Sequence, residues 1–252
     1  MPSLRFIYVW RRNFLVWRKL AIPSMLGNLA DPLLYMVGLG YGLGSLLPQM
    51  QGVSYVAFLA GGVVCSSTMF TASFEAMYSA FSRMHVQRTW DAIINAPLTL
   101  DDVVIGEWVW AASKSLLSGC AVLLVAAVLG LVTSPLALLI VPVIALAGLT
   151  FAALGLIVTA LSPSYDFFMY YFTLAITPMM LLCGVFYPLE QLPALAQVAA
   201  QALPLTHAVA LSRPLMLGTF PTQAGLHVLV LVIYAGVSFA MARHLLRRRI
   251  LN

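Results

Sequence analysis

Charged side chains are scarce in this sequence. Only 8% of its 252 residues are Asp, Glu, Lys or Arg, while 62% are hydrophobic, and the mean hydropathy is +0.97. A soluble domain carries about 25% charged residues because its surface faces water. The shortage of charge therefore excludes a water-soluble globular domain and predicts that lipid is the main solvent. We expect residues 1–252 to form a single membrane domain.

The common motifs of enzyme chemistry are also missing. There is no GxxxxGKS or GxxxxGKT segment for nucleotide phosphates and no HExxH segment for a catalytic metal. The cysteines form no CxxC pair and have no histidine at ligand spacing. We therefore expect no catalytic residue, no cofactor and no metal in this chain, and no nucleic-acid partner. A membrane enzyme acting on lipids would need convergent acids or histidines, which the sequence lacks.

Long apolar runs are what the sequence has instead. A membrane-spanning helix needs about 20 mostly apolar residues, and six runs approach or exceed this length. They lie at approximately residues 24–47, 54–82, 103–131, 136–161, 166–187 and 225–241. These runs predict an all-α integral membrane fold with about six transmembrane helices.

The positions of the basic residues predict the orientation. Of the 13 Lys and Arg residues, five precede the first run, Arg83 and Arg88 lie between the second and third, and four close the chain. The loops around residues 48–53 and 131–136 carry none. Because cytoplasmic loops are enriched in Lys and Arg, we expect both termini on the cytoplasmic side of a bacterial inner membrane.

Residues 3–20 have the pattern of an amphipathic helix. At 100° per residue the aromatic and apolar side chains gather on one side and the five basic side chains on the other. Such a helix lies in the membrane interface, with Trp at headgroup depth. The alternative is a plain basic cytoplasmic tail. The apolar side consists of Phe6, Ile7, Trp10, Phe14 and Trp17.

Four glycines alternate along the first apolar run. They form two overlapping small-xxx-small pairs, Gly38 with Gly42 and Gly40 with Gly44. Such pairs let another helix approach closely, either within the chain or from a second copy of it. We therefore predict a helix-packing or dimer contact at these glycines.

The polar segment 83–98 predicts a short cytoplasmic helix between the second and third runs. Trp90, Ile93 and Ile94 have the spacing of one apolar helix face, flanked by Arg88 and Asp91. A short amphipathic helix can dock into a groove on a soluble partner. The alternative is an ordinary interfacial loop helix.

Charges within the apolar runs are few and include Glu75, Glu107 and Lys114. Such residues are costly in lipid and usually face a partner or a pathway. We predict a structural ion pair near the cytoplasmic side, formed by Glu75 and Lys114. A proton relay would instead need acids and histidines crossing the membrane, and that pattern is missing.

Aromatic side chains crowd the start of the fifth run. Sugar rings stack on aromatic faces, so these side chains are candidates for a glycan path together with the tryptophans of the N-terminal helix. The alternative is an ordinary aromatic belt at the membrane interface. The candidate path residues are Trp10, Trp17, Phe168, Tyr171 and Phe172.

Prolines divide residues 188–222 into pieces too short to span a membrane. We predict two short helices that dip back into the outer leaflet, because non-spanning backbone is tolerated where protein covers it. The prolines are Pro188, Pro193, Pro204, Pro214 and Pro221.

Three segments resemble a known transporter family. Residues 183–193, CGVFYPLEQLP, and 203–207, LPLTH, resemble the outer-side signature of ABC-2 type exporter permeases, and residues 88–99 resemble that family's first cytoplasmic loop. The resemblance implies a permease homodimer bound to two copies of a separate ATP-binding subunit, which holds ATP and Mg. It implies that Arg88, Trp90, Asp91, Ile93 and Ile94 couple to that subunit. It also implies an outer re-entrant hairpin built around Pro188, Pro193, Pro204 and His207.

Further segments resemble the permeases of lipo-chitooligosaccharide exporters within this family. They are residues 9–19, 27–32 and 161–166. The resemblance implies export of a lipo-oligosaccharide or another glycolipid-like amphiphile. Two alternatives stay open, namely a permease for drugs or other amphiphiles and an ion-coupled secondary transporter. The secondary transporter would have no ATPase partner and would need a membrane-embedded ionisable site.

Overall fold

The computed structural model describes residues 4–47 and 49–251. The all-α prediction is confirmed, since helices dominate the described residues and one short antiparallel hairpin of β1 (Gln49–Met50) and β2 (Val53–Ser54) accompanies them. In chain order the helices are α1 (Phe6–Arg18), α2 (Ala21–Ser45), α3 (Tyr55–Val86), α4 (Thr89–Ile94), α5 (Leu100–Val128), α6 (Pro135–Leu161), α7 (Phe167–Leu182), α8 (Ala194–Gln201), α9 (Pro204–Met216) and α10 (Ala224–Leu251).

The predicted number of about six spans agrees with the described helices. Four of them, α3, α5, α6 and α10, are long and apolar enough to cross a membrane, and the number rises to six if two bent pairs each count as one span. The bent pairs are α1 with α2 and α8 with α9. Five of the six predicted runs take part in this count, namely those of α2, α3, α5, α6 and α10. The run 166–187 corresponds to α7, which is a shorter apolar helix, and the pair α8 with α9 lies in the region predicted not to span.

Helix α7 is shorter than the predicted run 166–187. It ends at Leu182, and Gly184 has φ of 75°, a left-handed conformation that glycine adopts without steric cost and that commonly ends helices. At 1.5 Å per residue the helix is about 24 Å long, which is less than the roughly 30 Å hydrocarbon core.

Helix α3 is the centre of the bundle. In its most apolar 18-residue window 89% of the residues are buried, compared with 17% for α10. It packs against α5, α6 and α9, whereas α10 packs mainly on α6. Helix α3 is therefore placed to transmit a movement at one end of the bundle to most of its neighbours.

Helix α1 turns away from α2 by 84° and lies against α5. Gly106 on α5 allows this contact, because a Cβ atom there would be 2.6 Å from Val9 Cβ. Arg5 Nη1 also donates to the Pro97 carbonyl at 2.8 Å. The helix covers most of the predicted range 3–20, of which Ser3 lies outside the described residues.

Prolines begin each short element of the 188–222 region. Pro188 directly precedes a 3₁₀ turn (Leu189–Gln191) and Pro193 directly precedes α8. Pro204 is the first residue of α9, where its fixed φ favours helix initiation and its missing N–H is not needed. Helices α8 and α9 meet at 89° and form a bent pair.

Candidate functional site

Two carboxylates and two cations form a buried ion network between α3 and α5. Arg83 Nε donates to Glu107 Oε1 at 2.9 Å, and Arg83 Nη2 reaches Glu75 Oε1 at 3.0 Å. Lys114 Nζ lies 2.8 Å from Glu75 Oε2, so the pair expected from the sequence is present within a larger network. Trp110 Nε1 donates to Glu75 Oε1 at 2.8 Å. Because charges of both signs balance, the network is neutral as a unit.

Two π-helical turns position the charges that α3 contributes. Glu75 begins the turn Glu75–Ser79 and Arg83 lies within the turn Ser82–Val86. A π turn holds an extra residue and changes the direction in which later side chains point. Glu75 and Glu107 are only 3% and 1% exposed, and buried charges of this kind are tolerated only when they are paired and hydrogen-bonded.

The loop helix α4 is attached to this network through Trp90. The indole is fully buried, with 0% exposure, and its Nε1 donates to Glu107 Oε1 at 3.2 Å. The structure therefore corrects the predicted docking face, because Trp90 points into its own chain and Ile93 and Ile94 pack against the core. The physical reason is that the indole N–H finds a buried acceptor that a solvent-facing position would not offer.

The face of α4 that remains open is polar. Arg88 precedes the helix in a left-handed conformation, with φ of 47°, and its side chain is exposed. Asp91 and Asn95 are also exposed. A partner approaching α4 would thus meet charged and amide groups, and its contact would be one helix thickness away from the buried network.

A cavity of about 490 Å³ adjoins the network, between α1, α3 and α5. Its lining includes Arg12, Asn13, Trp17, Glu75, Arg83 and Lys114. Trp17 borders this space, whereas Trp10 donates its Nε1 to Ser113 Oγ at 3.1 Å. Both indoles also pack edge-on against Trp110, so the aromatic side of α1 faces α5.

The fifth-run aromatics are divided between core and surface. Phe168 is fully buried, and it packs edge-on against Tyr78 and Phe81. Its assignment to a substrate path is therefore wrong, because two neighbouring rings enclose it. Tyr171 and Phe172 are half-buried, and Phe172 stacks on Phe70 with ring centroids 6.0 Å apart.

The two glycine pairs of α2 face different surroundings. A Cβ atom on Gly40 would lie 3.3 Å from both methyl groups of Val56, and Gly44 is turned towards the same side chain. Gly38 and Gly42 have no such neighbour within 4 Å among the described residues. One pair therefore packs α2 against α3, and the other lies on an open surface.

The proline-rich region 188–222 is tied to the bundle by His207 and Arg213. His207 is buried, its Nε2 lies 2.9 Å from the Gln201 carbonyl and its Nδ1 lies 2.8 Å from His227 Nδ1. Arg213 Nε donates to the Phe58 carbonyl at 3.1 Å, and its guanidinium lies over the Phe58 ring at 3.6 Å. Sequence reasoning missed Arg213, although an arginine within an apolar proline-rich segment is a signal for such a contact.

Sequence reasoning also missed two members of the ion network. The predicted ion pair joins Glu75 to Lys114 and includes neither Arg83 nor Trp110. The eight-residue separation of Glu75 and Arg83, close to two helical turns, was the available signal for the first. Among the described residues no group of three or more His, Cys, Asp and Glu side chains could hold a metal ion.

Comparison with known proteins supports the resemblance. A family model described as ABC-2 type transporter matches residues 5–217. Nodulation protein J of Rhizobium leguminosarum bv. viciae is 51% identical over 251 residues, covering 99% of this chain and 96% of that protein. Nodulation protein J of Rhizobium meliloti strain 1021 is 49% identical over 246 residues, covering 98% and 94%. Inner membrane transport permease YadH of Escherichia coli K12 is 22% identical over 240 residues, covering 90% and 89%. The chain belongs to the ABC-2 type transporter family.

Proposed function

We propose that this chain is the membrane-spanning permease subunit of an ATP-driven exporter and works with a separate ATP-binding subunit. Family membership supports the permease role, and the observation that carries the coupling is the hydrogen bond from buried Trp90 to Glu107. It connects the exposed helix α4 to charges on both α3 and α5. The partner would hold ATP and Mg, and this chain would supply the pathway.

The proposed coupling follows from rigid contacts. Closure of two ATP-binding subunits would move α4 through its exposed residues Arg88 and Asp91. Trp90 would carry this movement to Glu107, and Arg83 would carry it to Glu75 on the central helix. Because a buried charge that loses its partner costs about 3–5 kcal/mol, the four charges would move together rather than separate.

We also propose that two copies of the chain assemble with two ATP-binding subunits. The open glycine pair Gly38 and Gly42 supports this assembly, since small residues on an exposed helix face allow another helix to approach closely. Both termini would be cytoplasmic in a bacterial inner membrane, as the basic residues predict. The bent pair α8 and α9 would then close the outer exit.

The proposed substrate is a lipo-oligosaccharide or another glycolipid-like amphiphile moved out of the cytoplasm. About half of the residues are identical to those of the nodulation protein J relatives over nearly the whole chain, which supports a related cargo. Trp17 and Phe172 are half-buried aromatic side chains at cavity and surface positions that sugar rings could stack on. A permease for drugs or another amphiphile is the alternative within the same family.

Transport into inverted membrane vesicles tests this proposal. Vesicles that contain the chain and its partner should take up labelled lipo-chitooligosaccharide when ATP is added, and a protonophore should leave the uptake unchanged. Vesicles from a deletion strain serve as the control. Uptake that needs an ion gradient and ignores ATP would favour the secondary transporter, and ATP-driven uptake of a drug but not of the saccharide would favour the other permease class.

A matched pair of charge reversals tests the docking face. Arg88→Glu should release the ATP-binding subunit during purification, because Arg88 is exposed beside α4. Arg248→Glu makes the same change at an exposed position of α10 and should leave the complex intact. Equal retention of the subunit by both variants would contradict the proposed face.

A further inference from the structure

The cavity beside the ion network has more positive than negative charge around it. Three cations line it, namely Arg12, Arg83 and Lys114. Glu75 lines the same space and Glu107 lies behind Arg83, so two carboxylates face three cations. The two buried carboxylates are already paired with Arg83 and Lys114. One unit of positive charge is therefore left without a counterion.

Arg12 is the cation without a carboxylate partner among the described residues. Among the described residues no carboxylate oxygen lies within 4.0 Å of its guanidinium. Its Nη1 donates to Asn13 Oδ1 at 3.1 Å and its Nη2 to Thr89 Oγ1 at 3.4 Å. Both acceptors are neutral. A half-buried guanidinium of this kind still has the geometry to bind an oxyanion through two parallel N–H groups.

Asn13 gives an independent indication of a ligand. The residue is only 3% exposed, and its Nδ2 has no hydrogen-bond partner among the described residues. Leaving a buried donor unsatisfied is unfavourable, so such groups usually have an acceptor. Asn13 lines the same cavity as Arg12. The orientation of the amide is fixed because Arg12 can only donate, which assigns the oxygen to Arg12 and leaves the N–H₂ group for a ligand.

Part of the cavity lining is apolar. Val16, in the last turn of α1, and Leu20, just beyond its end, line the space and are 57% and 64% exposed. Trp17 lies between them in sequence and lines the cavity too. A free inorganic anion would make no use of this apolar wall, whereas an anion attached to hydrocarbon chains would contact both parts.

We propose that this cavity binds the phosphate-type oxyanion of an anionic lipid headgroup, with Arg12 and Asn13 Nδ2 as donors and the lipid chains along Val16 and Leu20. The oxyanion supplies the missing negative charge and the missing acceptor at once. All of the proposed contacts to the lipid come from this chain and none from an ATP-binding partner. The test of lipid binding is therefore independent of the proposed ATP-driven export.

Native mass spectrometry of the delipidated full-length chain tests the site with phosphatidylglycerol as the probe and zwitterionic phosphatidylcholine as the comparison. The wild-type chain should bind one phosphatidylglycerol more tightly than phosphatidylcholine. Arg12→Gln should weaken that binding about tenfold or more, since a hydrogen bond to a charged group contributes about 1.5–3 kcal/mol. Arg11→Gln is the matched control, because Arg11 is exposed on the same helix outside the cavity.

Asn13→Asp provides a second test that leaves Arg12 in place. The added carboxylate would pair with Arg12 and repel the oxyanion, so binding should fall at least as far as in Arg12→Gln. Equal losses in Arg11→Gln and Arg12→Gln would overturn the proposal, because binding would then reflect only the general basic charge of α1. Displacement of phosphatidylglycerol by inorganic phosphate at a similar concentration would overturn the assignment to a lipid.

Discussion

Replacing Glu107 by glutamine should destabilise the protein strongly although the side chain keeps its size. Glu107 accepts from Arg83 through both oxygens and from the Trp90 indole. The amide oxygen of glutamine can still accept from one of these donors, but the negative charge is lost. The network then carries one uncompensated positive charge in a position where Glu107 was only 1% exposed.

The expected decrease in the free energy of unfolding can be estimated from these contacts. Removing one member of a buried ion pair costs about 3–5 kcal/mol. Arg83 keeps a second carboxylate, Glu75, at 3.0 Å, and its side chain borders the open cavity with 13% exposure. Both features reduce the penalty, so we expect the free energy of unfolding to fall by about 3 kcal/mol.

Reversible unfolding by dodecyl sulfate in mixed micelles measures this quantity, followed by tryptophan fluorescence. The full experiment is a double-mutant cycle with Glu107→Gln, Arg83→Gln and the double variant. The double variant removes both charges and leaves Glu75 paired with Lys114, so it should be more stable than the sum of the single losses by about 2 kcal/mol.

Glu190→Gln is the control for this cycle, because Glu190 is exposed and its substitution should change stability by less than about 0.5 kcal/mol. If the effects of the Glu107 and Arg83 substitutions add to within about 0.5 kcal/mol, the two side chains do not interact and the coupling argument fails.

Three other contacts are each tested by substitution. Gly106→Leu should detach α1 from α5, because even a Cβ atom would lie 2.6 Å from Val9 Cβ. Limited proteolysis should then cleave within α1, and an unchanged digestion pattern would count against the packing. Gly38→Cys should form a disulfide between two copies under oxidation, whereas Gly40→Cys should not, since Val56 covers Gly40 and leaves Gly38 open. Electrophoresis without reductant reads the difference, and equal cross-linking of both variants would contradict the assigned faces. Arg213→Met should lower the free energy of unfolding by about 1–3 kcal/mol because it leaves the buried Phe58 carbonyl without this donor. In the same titration Arg213→Lys should recover part of the lost stability. A change near zero in the free energy of unfolding of Arg213→Met would show that this hydrogen bond does not stabilise the protein.

The sequence predicted the elements of the fold well because apolar run length and proline positions depend only on local chemistry. The run 54–82 corresponds to α3, and the prolines at 193 and 204 stand where α8 and α9 begin. The loop helix α4 was also predicted, since Trp90 and its neighbours have helical spacing. These signals require no knowledge of which helices pack together.

The direction in which individual side chains point could not be predicted in the same way. Helical spacing puts Trp90 on an apolar face but does not say whether that face meets a partner or its own chain. The π turns that orient Glu75 and Arg83 have no sequence signature. The contact between these two side chains therefore could not be predicted. Phe168 shows the same limit, because its burial depends on Tyr78 and Phe81 in a helix distant in sequence.

A photoactivatable cross-linking residue at position 91 tests the central claim most directly. Asp91 is exposed on α4, and irradiation of native membranes should attach the chain to a single subunit whose sequence contains a nucleotide P-loop. The same residue at position 248 on α10 should give no such product. Absence of the product at position 91, in membranes where other ABC complexes cross-link at their interfaces, would contradict the claim that a separate ATPase drives this permease through α4.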